Sequence, residues 1–267
     1  MNTIFYFSGT GNSRHVAKTL GRLTGDRLVD MADAGSDVMA GCQPGARLGW
    51  VFPVHAWGLP RVVERFIDRM PAMRHTETPY YIYAILTCGD DIGRADRLLR
   101  RCLARKGLTV DSVYSVRMPN TYVGLPGFDV DAPALAAEKL NAAERELSLI
   151  AADVVARRVG VCRVVPGAWP GLKSGPLRWL FGHLIPTYRW FSVRRDRCTA
   201  CGACRRHCPT HNVVADSEGR PVWRDDCTGC LACYHYCPAQ AVRYGPFARR
   251  KGQYHYPERQ GESSEKN

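Results

Sequence analysis

Short apolar runs alternate with amphipathic stretches through residues 1–158 of the chain. A continuous apolar run predicts a buried strand, and apolar positions three to four residues apart predict a helix that packs on one face. Helices are predicted over residues 60–70 and from Pro133 to Val154, with Asp131 capping the second. The predicted strands are residues 2–7, 28–31, 48–52, 80–86 and 110–116.

Five strands that alternate with helices predict one parallel, doubly wound sheet with helices on both faces. Ligands of such sheets bind beyond the carboxyl ends of the strands, where the strand order reverses. The loops at 8–13, 53–58 and 87–93 follow the first, third and fourth predicted strands. We therefore expect these three loops to converge on one ligand-binding crevice.

The loop from Ser8 to Ser13 has the composition of an anion site. It joins a strand to a helix, so main-chain N–H groups and the positive end of the helix dipole point to one place. The loop contains no Lys or Arg, and it fits neither GxxxxGK[ST] nor GxGxxG. A phosphate held by neutral donors suits a cofactor that stays bound. The alternative is a tight turn that needs Gly9 and Gly11 only for its geometry.

Residues 198–238 contain one cysteine unit twice, each copy reading C-x2-C-x2-C-x3-C-P, with the second copy 29 residues after the first. Repetition at a fixed period indicates two copies of one structural unit. Zinc sites pair two short cysteine hooks, which does not fit two runs of three cysteines with a proline-tagged fourth. The spacing instead predicts iron–sulfur clusters. The eight cysteines are Cys198, Cys201, Cys204, Cys208, Cys227, Cys230, Cys233 and Cys237.

Composition and the first residues favour a reducing, cytoplasmic location. The chain has 12 cysteines, and residues 1–10 lack the basic and apolar segments of an export signal. Patterned cysteines in a reducing compartment bind metal rather than each other. No window approaches about 18 uninterrupted apolar residues, so no membrane span is predicted.

Positive charge is concentrated in the second part of the chain. Residues 161–267 hold 17 Lys/Arg and 8 Asp/Glu, whereas residues 1–160 hold 20 and 17. A basic surface suits nucleic acid, an anionic membrane or an acidic protein. Two clusters with their thiolates would bring negative charge into this region. We therefore interpret the excess as compensation together with an acidic protein partner, and we expect no nucleic acid.

On these motifs, residues 1–158 resemble a flavodoxin, and residues 195–245 resemble bacterial ferredoxins with two [4Fe–4S] clusters. The whole chain resembles flavodoxin–ferredoxin fusion proteins, with a linker at 159–194 and a tail at 246–267. The resemblance implies a five-stranded parallel sheet in the order 2-1-3-4-5 and a small α+β ferredoxin domain. It also implies FMN, with its phosphate on the first loop. The implied cofactor residues are Ser8, Gly9, Thr10, Gly11, Asn12, Ser13, Pro53, Val54, His55, Ala56, Trp57, Thr87, Cys88, Gly89, Asp90 and Tyr122.

The resemblance also implies crossed cluster ligands. In two-cluster ferredoxins the cysteine before proline ligates the other cluster. One implied ligand set is Cys198, Cys201, Cys204 and Cys237. The other is Cys227, Cys230, Cys233 and Cys208.

Three of the implied flavin neighbours have a second interpretation. Trp57 either stacks on the flavin or packs in a core or loop. His55 is either a proton donor beside the flavin or a structural histidine. Tyr122 either closes over the flavin or packs at the domain interface.

The linker is too aromatic for a free connection, and we predict a helix over about 175–185 that packs the two domains together. The alternative is a peripheral membrane contact through its aromatic and arginine side chains. Pro186 disfavours that alternative, because it interrupts the amphipathic pattern. In the tail, we expect Arg249 to Lys251 and Tyr254 to Pro257 to fold back onto the flavodoxin part.

These features predict an electron-transfer protein that relays electrons between two [4Fe–4S] clusters and FMN, to or from a redox partner protein. No residue is assigned acid–base or nucleophilic work. One alternative is an FMN-dependent oxidoreductase that reduces its own small substrate with electrons fed through the clusters. Another is a redox sensor or structural adaptor that carries clusters without turnover.

Overall fold

The N-terminal unit is a helix-covered sheet. The computed structural model describes residues 1–35, 39, 41–73, 80–184 and 188–257. The elements of the first unit are β1 (Thr3–Tyr6), α1 (Asn12–Thr24), β2 (Arg27–Asp30), β3 (Arg47–Pro53), α2 (Arg61–Arg69), β4 (Tyr81–Cys88), α3 (Ala95–Ala104), β5 (Ser112–Arg117), α4 (Pro133–Val155) and β6 (Cys162–Arg163).

The strands form one parallel sheet in the order β2-β1-β3-β4-β5-β6, which confirms the predicted order 2-1-3-4-5. The sheet has one strand more than the five predicted. Cys162 and Arg163 pair with Val113 and Tyr114 at the sheet edge. A two-residue strand is too short to show an apolar pattern, so the sequence alone placed these residues in the linker.

Adjacent strand residues face opposite cores, as a doubly wound sheet requires. Phe5 and Trp50 lie in the core beneath α2 and α3, whereas their neighbours Ile4 and Val51 lie in the core beneath α1 and α4. All four side chains are fully buried. The sheet is therefore covered on both faces, and the carboxyl ends of its strands remain available for a site.

The predicted cap of α4 is wrong. Ala132 stands at the N-cap position without a side-chain cap, although Pro133 does occupy the first turn. The Asp131 carboxylate instead accepts hydrogen bonds from the Asn120 main-chain N–H at 2.9 Å and from Lys139 Nζ at 2.7 Å. Asp131 therefore ties the loop after β5 to α4, a contact that local spacing does not encode.

The C-terminal unit is built from short elements around the cysteine repeat. Its two antiparallel strand pairs join Val213–Ala215 to Pro221–Trp223 and Phe191–Val193 to Val242–Tyr244. The elements from the linker onward are α5 (Pro170–Leu172), a π-helical turn (Lys173–Leu177), α6 (Arg178–Leu184), β7 (Phe191–Val193), α7 (Ala203–Arg206), β8 (Val213–Ala215), β9 (Pro221–Trp223), α8 (Ala232–His235), β10 (Val242–Tyr244) and a 3-10 turn (Phe247–Arg250).

The linker supplies structure to both units. Its first residues form β6 and its last form β7, which pairs with β10. Between them, the helical turns begin at Pro170 rather than near residue 175, and Gly175 interrupts them with φ −104° and ψ −105°. Pro186 lies outside the described residues, as does the end of the tail from 258 onward.

The backbone of the cysteine repeat is itself repeated. Left-handed residues recur in the second copy at the same 29-residue offset, whatever the side chain. The three pairs are Ala200 (φ 53°) and Gly229 (φ 70°), Gly202 (φ 72°) and Leu231 (φ 60°), and His211 (φ 50°) and Gln240 (φ 48°). Four of these six residues carry side chains that rarely adopt this conformation. The fold of the cysteine loop therefore imposes the left-handed conformation at these positions. Glycine occupies only some of them.

The two units are packed together. Val123, in the loop between β5 and α4, is fully buried within the core of the C-terminal unit. A Cβ added to Gly124 would lie 2.7 Å from the ring of Tyr244. Within the described ranges, none of the helices has both the length and the apolar character that crossing a bilayer requires.

Candidate cofactor sites

The Ser8–Ser13 loop follows β1 and includes the first two residues of α1, so it lies at the carboxyl end of the strand. Gly11 has φ +95°, a conformation that favours glycine, and its N–H donates to Ser8 Oγ at 3.1 Å. Ser13 Oγ hydrogen-bonds Thr87 Oγ1 at 2.8 Å, which joins the first loop to the end of β4. The first turn of α1 contains no acidic residue. The helix N-terminus is therefore suited to an anion.

The three predicted loops meet at one cavity of about 720 Å³. Its walls also include residues 118–122, the linker and the cysteine repeat, so both units enclose it. The predicted residues that line it are Ser8, Gly9, Thr10, Asn12, Ser13, Pro53, Val54, His55, Ala56, Thr87, Cys88, Gly89 and Tyr122. The lining does not include Gly11, Trp57 or Asp90.

Trp57 packs against the linker instead of lining the cavity. Its ring meets Phe181 edge-on with the centroids 5.9 Å apart, and Lys173 Nζ lies 5.6 Å from the Trp57 centroid. Trp57 has φ +54°, which accompanies this orientation. The linker side chain Phe181 does line the cavity, beside Arg178 and Tyr188. The aromatic wall therefore includes residues more than 120 positions away from the loop.

His55 joins the sheet unit to the cysteine repeat. Its side chain hydrogen-bonds the main chain of Thr228, between Cys227 and Cys230. His55 also lines the cavity. Burial, with a smaller effect from the nearby Arg178 cation, lowers the pKa of His55 to about 4. The imidazole is therefore neutral near pH 7.

Two buried polar atoms at the cavity have no hydrogen-bond partner within the described part of the chain. They are Thr228 Oγ1 and Arg178 Nη1. The other end of the Arg178 guanidinium, Nη2, is held by Glu64 Oε1 at 2.8 Å. Unpaired buried donors are costly in a folded protein, because desolvation is not compensated. This wall of the cavity therefore has hydrogen-bonding capacity that the described contacts do not use, in addition to the anion site at the Ser8–Ser13 loop.

The eight repeat cysteines gather in two sets. Cys198, Cys201, Cys204 and Cys237 surround one small enclosed space, and we call them the outer set. Cys208 and Cys227 interact electrostatically with Cys230 and Cys233, and we call these four the inner set. Each set combines three cysteines of one copy with the last cysteine of the other, as the crossed ligand sets require.

The surroundings of the sulfurs fit iron–sulfur clusters. Cys208 Sγ accepts from the Asn212 N–H and Cys237 Sγ from the Ala241 N–H, both at 3.2 Å. Hydrogen bonds to thiolate sulfur stabilise a cluster and tune its potential. No group of three or more His, Cys, Asp or Glu side chains in the described ranges converges as for a single metal ion.

The inner set touches the anion loop. A Cβ built on Gly9 would lie 2.6 Å from Cys230 Cβ and 3.3 Å from its Sγ. Only glycine therefore allows this approach. Burial raises the pKa of the Cys230 thiol to about 12, whereas the main-chain N–H of Ala203 lowers the pKa of Cys201 in the outer set. The two sets differ in solvent access although their spacing is the same.

The C-terminal tail closes the same region. Tyr256 N–H donates to the Thr10 carbonyl at 2.8 Å, and Tyr254 Oη hydrogen-bonds Asn12 Oδ1 at 3.2 Å. The ring of Tyr256 stacks on His15 with the centroids 4.1 Å apart. The prediction that residues 254–257 fold back onto the first unit is confirmed. The tail covers the outside of the anion loop.

His235 provides a further link between the units. Its Nδ1 accepts from the Tyr254 N–H at 3.1 Å, and its Nε2 lies 2.8 Å from the Thr121 carbonyl. A ring that accepts at Nδ1 and donates at Nε2 is neutral. Burial lowers the pKa of His235 to about 4, in agreement with these contacts.

The family model of the 4Fe-4S binding domain matches residues 191–213 and 221–243. This part of the chain is a ferredoxin domain. Since the N-terminal sheet has the flavodoxin strand order, the chain has the organisation of a flavodoxin–ferredoxin fusion. A search of curated protein sequences finds no significant match.

Solved structures with a similar fold cover the N-terminal unit. An FMN-dependent NADH-azoreductase from Bacillus anthracis in complex with FMN is 11% identical over 58% of this chain and 100% of its own, with a TM-score of 0.39. The flavodoxin of Streptococcus pneumoniae TIGR4 is 14% identical over 56% and 98%, with a TM-score of 0.34. The Trp repressor binding protein from Bacillus subtilis is 14% identical over 54% and 96%, with a TM-score of 0.36. At this level the similarity carries no argument about activity.

Sequence reasoning missed several cavity residues, because they come from the linker and the repeat. These are Arg178, Phe181, Gly182, Tyr188, Asp225, Thr228, Gly229, Leu231 and Tyr244. The abundance of aromatic residues in the linker was the one signal for part of this set. Nothing local in the sequence indicates that Arg178 faces the cavity, because Glu64 and Gly58, which hold it, lie more than 110 residues earlier.

Proposed function

We propose that the chain is an electron-transfer iron–sulfur flavoprotein that relays electrons between two [4Fe–4S] clusters and FMN, to or from a redox partner protein. The observation that carries this proposal is the contact of Gly9 with Cys230, which brings the inner set to the wall of the cavity. When bound, the clusters transfer single electrons and FMN supplies one- or two-electron chemistry.

The residues of the chain would bind, orient and shield these groups. The Ser8–Ser13 loop would hold the FMN phosphate with main-chain N–H groups and the α1 dipole. The outer and inner sets would each ligate one cluster. Neutral His55, hydrogen-bonded to Thr228, would fix the inner set against the cavity without adding charge. The tail and the linker would keep water out of the cavity.

The outer set would exchange electrons with the partner. Cys201 is exposed, and the guanidinium groups of Arg205 and Arg206 both lie over Gly202 beside it. Arg195 and Arg197 are also exposed in this region, and only Asp196 opposes them in the 194–206 segment. Positive charge around an exposed cluster would steer an acidic partner to it. We expect this exchange in a reducing cytoplasm.

The cofactor content tests the proposal directly. Protein purified without oxygen should contain about eight irons, with matching sulfide, and one FMN per chain. Reductive titration should then bleach both chromophores in one preparation. Four irons per chain, or protein that never retains flavin, would contradict the relay.

A second candidate is an FMN-dependent oxidoreductase that reduces its own small substrate. The Arg178 cation, which lines the cavity, favours this candidate with an anionic substrate. Turnover of small anionic acceptors with no partner protein present would support it. The Arg178→Gln variant should then lose affinity for the anion, whereas Arg22→Gln, on the exposed end of α1, should not. If no small anionic acceptor is turned over, only the electron-carrier function is supported.

A further inference from the structure

The helical turns of residues 169–180 carry their apolar side chains outward. Trp169 is 74% exposed, Leu172 50%, Trp179 63% and Leu180 43%. We call these four residues the outer stripe. A helix on the surface of a globular protein normally turns its apolar stripe to the core. Large apolar side chains that stay exposed together on one short segment indicate a candidate interaction surface.

The polar side chains of the same turns face the protein. Lys173 Nζ pairs with Asp91 Oδ2 at 2.6 Å, and Arg178 Nη2 pairs with Glu64 Oε1 at 2.8 Å. Ser174 Oγ accepts from the Arg94 N–H and donates to the Trp57 carbonyl, both at 2.7 Å. These bonds fix the orientation of the turns on the protein. The exposure of the outer stripe is therefore a property of the packed linker.

Charge decides which occupant fits this surface. The linker, residues 159–194, contains five Lys/Arg and no Asp or Glu. One exposed arginine, Arg94, lies beside the turns with its guanidinium against Gly171. Asp91 and Glu64, the acidic side chains beneath, are already paired with cations. Those cations are Lys173 and Arg178 of the linker itself, so these pairs leave no net charge beneath the outer stripe. The exposed Arg94 cation beside the stripe is complementary to an anionic surface.

We propose that the outer stripe docks the protein on the surface of a membrane that contains anionic lipids. The bilayer interface accepts Trp and Leu side chains and attracts cations at the same depth. The turns would lie in the interface plane and would not span it. Because Arg178 and Phe181 of the same turns line the cavity, docking would place that wall of the cavity beside the bilayer. This proposal does not depend on the relay.

Vesicle sedimentation of the cluster-loaded full chain tests the proposal. The protein should sediment with phosphatidylcholine vesicles that contain phosphatidylglycerol, less with phosphatidylcholine alone, and less as salt increases. Replacing the stripe tryptophans (Trp169→Gln/Trp179→Gln) should weaken this binding about tenfold or more, because two apolar side chains no longer leave water. A second variant, Leu172→Gln/Leu180→Gln, should show the same direction.

The matched control is Leu135→Gln/Leu149→Gln on α4, where the wild-type side chains are 43% and 60% exposed. This variant should bind vesicles like the wild type. Iron content and visible absorbance should be equal in all variants, which shows that they are folded. Absence of wild-type binding to anionic vesicles overturns the proposal, and so does equal binding of all variants. A lipid-free oligomer in sedimentation velocity that the stripe variants abolish would assign the surface to self-association instead.

Discussion

Cys201 and Cys230 hold the same position in the two copies of the repeat, 29 residues apart. Cys201 is exposed at the surface, whereas Cys230 lies against Gly9 in the wall of the cavity. The three residues between the third and fourth cysteines differ accordingly. They are Arg205, Arg206 and His207 in the first copy and Tyr234, His235 and Tyr236 in the second.

The comparison shows how one unit acquires two roles. The backbone is preserved at three left-handed pairs, and the N–H bonds to Cys208 and Cys237 have the same length. The environment is what changes. The outer set has solvent and arginines, whereas the inner set has aromatic rings and the anion loop. The cysteine spacing therefore determines that each copy is suited to ligate a cluster. The packing against the N-terminal unit determines whether solvent or the anion loop surrounds the cysteines.

The crossed sets predict that losing one remote cysteine damages the set in the other copy. Cys208→Ala should remove the inner cluster, and Cys237→Ala the outer one, each with a loss of about four of eight irons. Reduced Cys237→Ala protein should keep electronic contact between its remaining cluster and flavin, because the inner set borders the cavity. Iron analysis with electron paramagnetic resonance would check this.

Identical spectra for the two remaining clusters would contradict the separation into an outer and an inner set. Cys162→Ala removes an exposed cysteine outside the repeat and serves as the control, with full iron content expected.

Acid should weaken the contact that His55 makes with the inner copy. The folded pKa is about 4 and the ordinary value is 6.5, so the unfolded state binds the proton first. The stabilisation is complete above pH 6.5 and is lost as the pH falls toward 4. The nearby Arg178 cation, which pairs with Glu64, acts in the same direction. The melting temperature should therefore fall over this range by several degrees more than in His55→Gln.

Equal pH slopes for wild type and His55→Gln would show that His55 carries no part of this contact. Measuring the difference between the two proteins cancels the acid lability that both share.

A side chain at position 9 should separate the inner set from the anion loop. Gly9→Ala places a Cβ 2.6 Å from Cys230 Cβ, so one of the two must move. Overpacking of this kind costs about 1–3 kcal/mol, and we expect FMN binding to weaken on the order of tenfold. Fluorescence titration of flavin-depleted protein measures this. Gly35→Ala, where nothing lies within 4 Å of the new Cβ, should bind like the wild type.

Removing positive charge should shift only the outer cluster. Arg205→Gln/Arg206→Gln removes two exposed guanidinium groups beside Cys201, so the potential of that cluster should fall. Exposed charges are screened, and a shift of about 10–40 mV is expected from about 0.2–1 kcal/mol. Voltammetry would compare it with Arg22→Gln/Arg101→Gln on the N-terminal unit. An unchanged outer potential, or an equal shift of both clusters, would contradict the assigned surroundings.

The sequence by itself determined the features that local spacing encodes. The cysteine repeat predicts two cluster sites, because ligand spacing must match a cubane whatever surrounds it. The Ser8–Ser13 loop predicts an anion site for the same local reason. Continuous apolar runs predict which segments are strands of the sheet, since parallel strands buried on both faces need apolar side chains on both sides. The strand order was implied by the resemblance to flavodoxins.

Only the tertiary structure decided which way side chains face when their partners are far along the chain. Trp57 packs on Phe181 instead of lining the cavity. Arg178 lines the cavity because it pairs with Glu64 and packs on Gly58. Asp131 binds Lys139 instead of capping α4. The same holds for the linker, whose polar side chains are drawn inward by ion pairs and leave the outer stripe in solvent. Spacing along the chain cannot encode these orientations, because each depends on contacts that form only when the two units pack together.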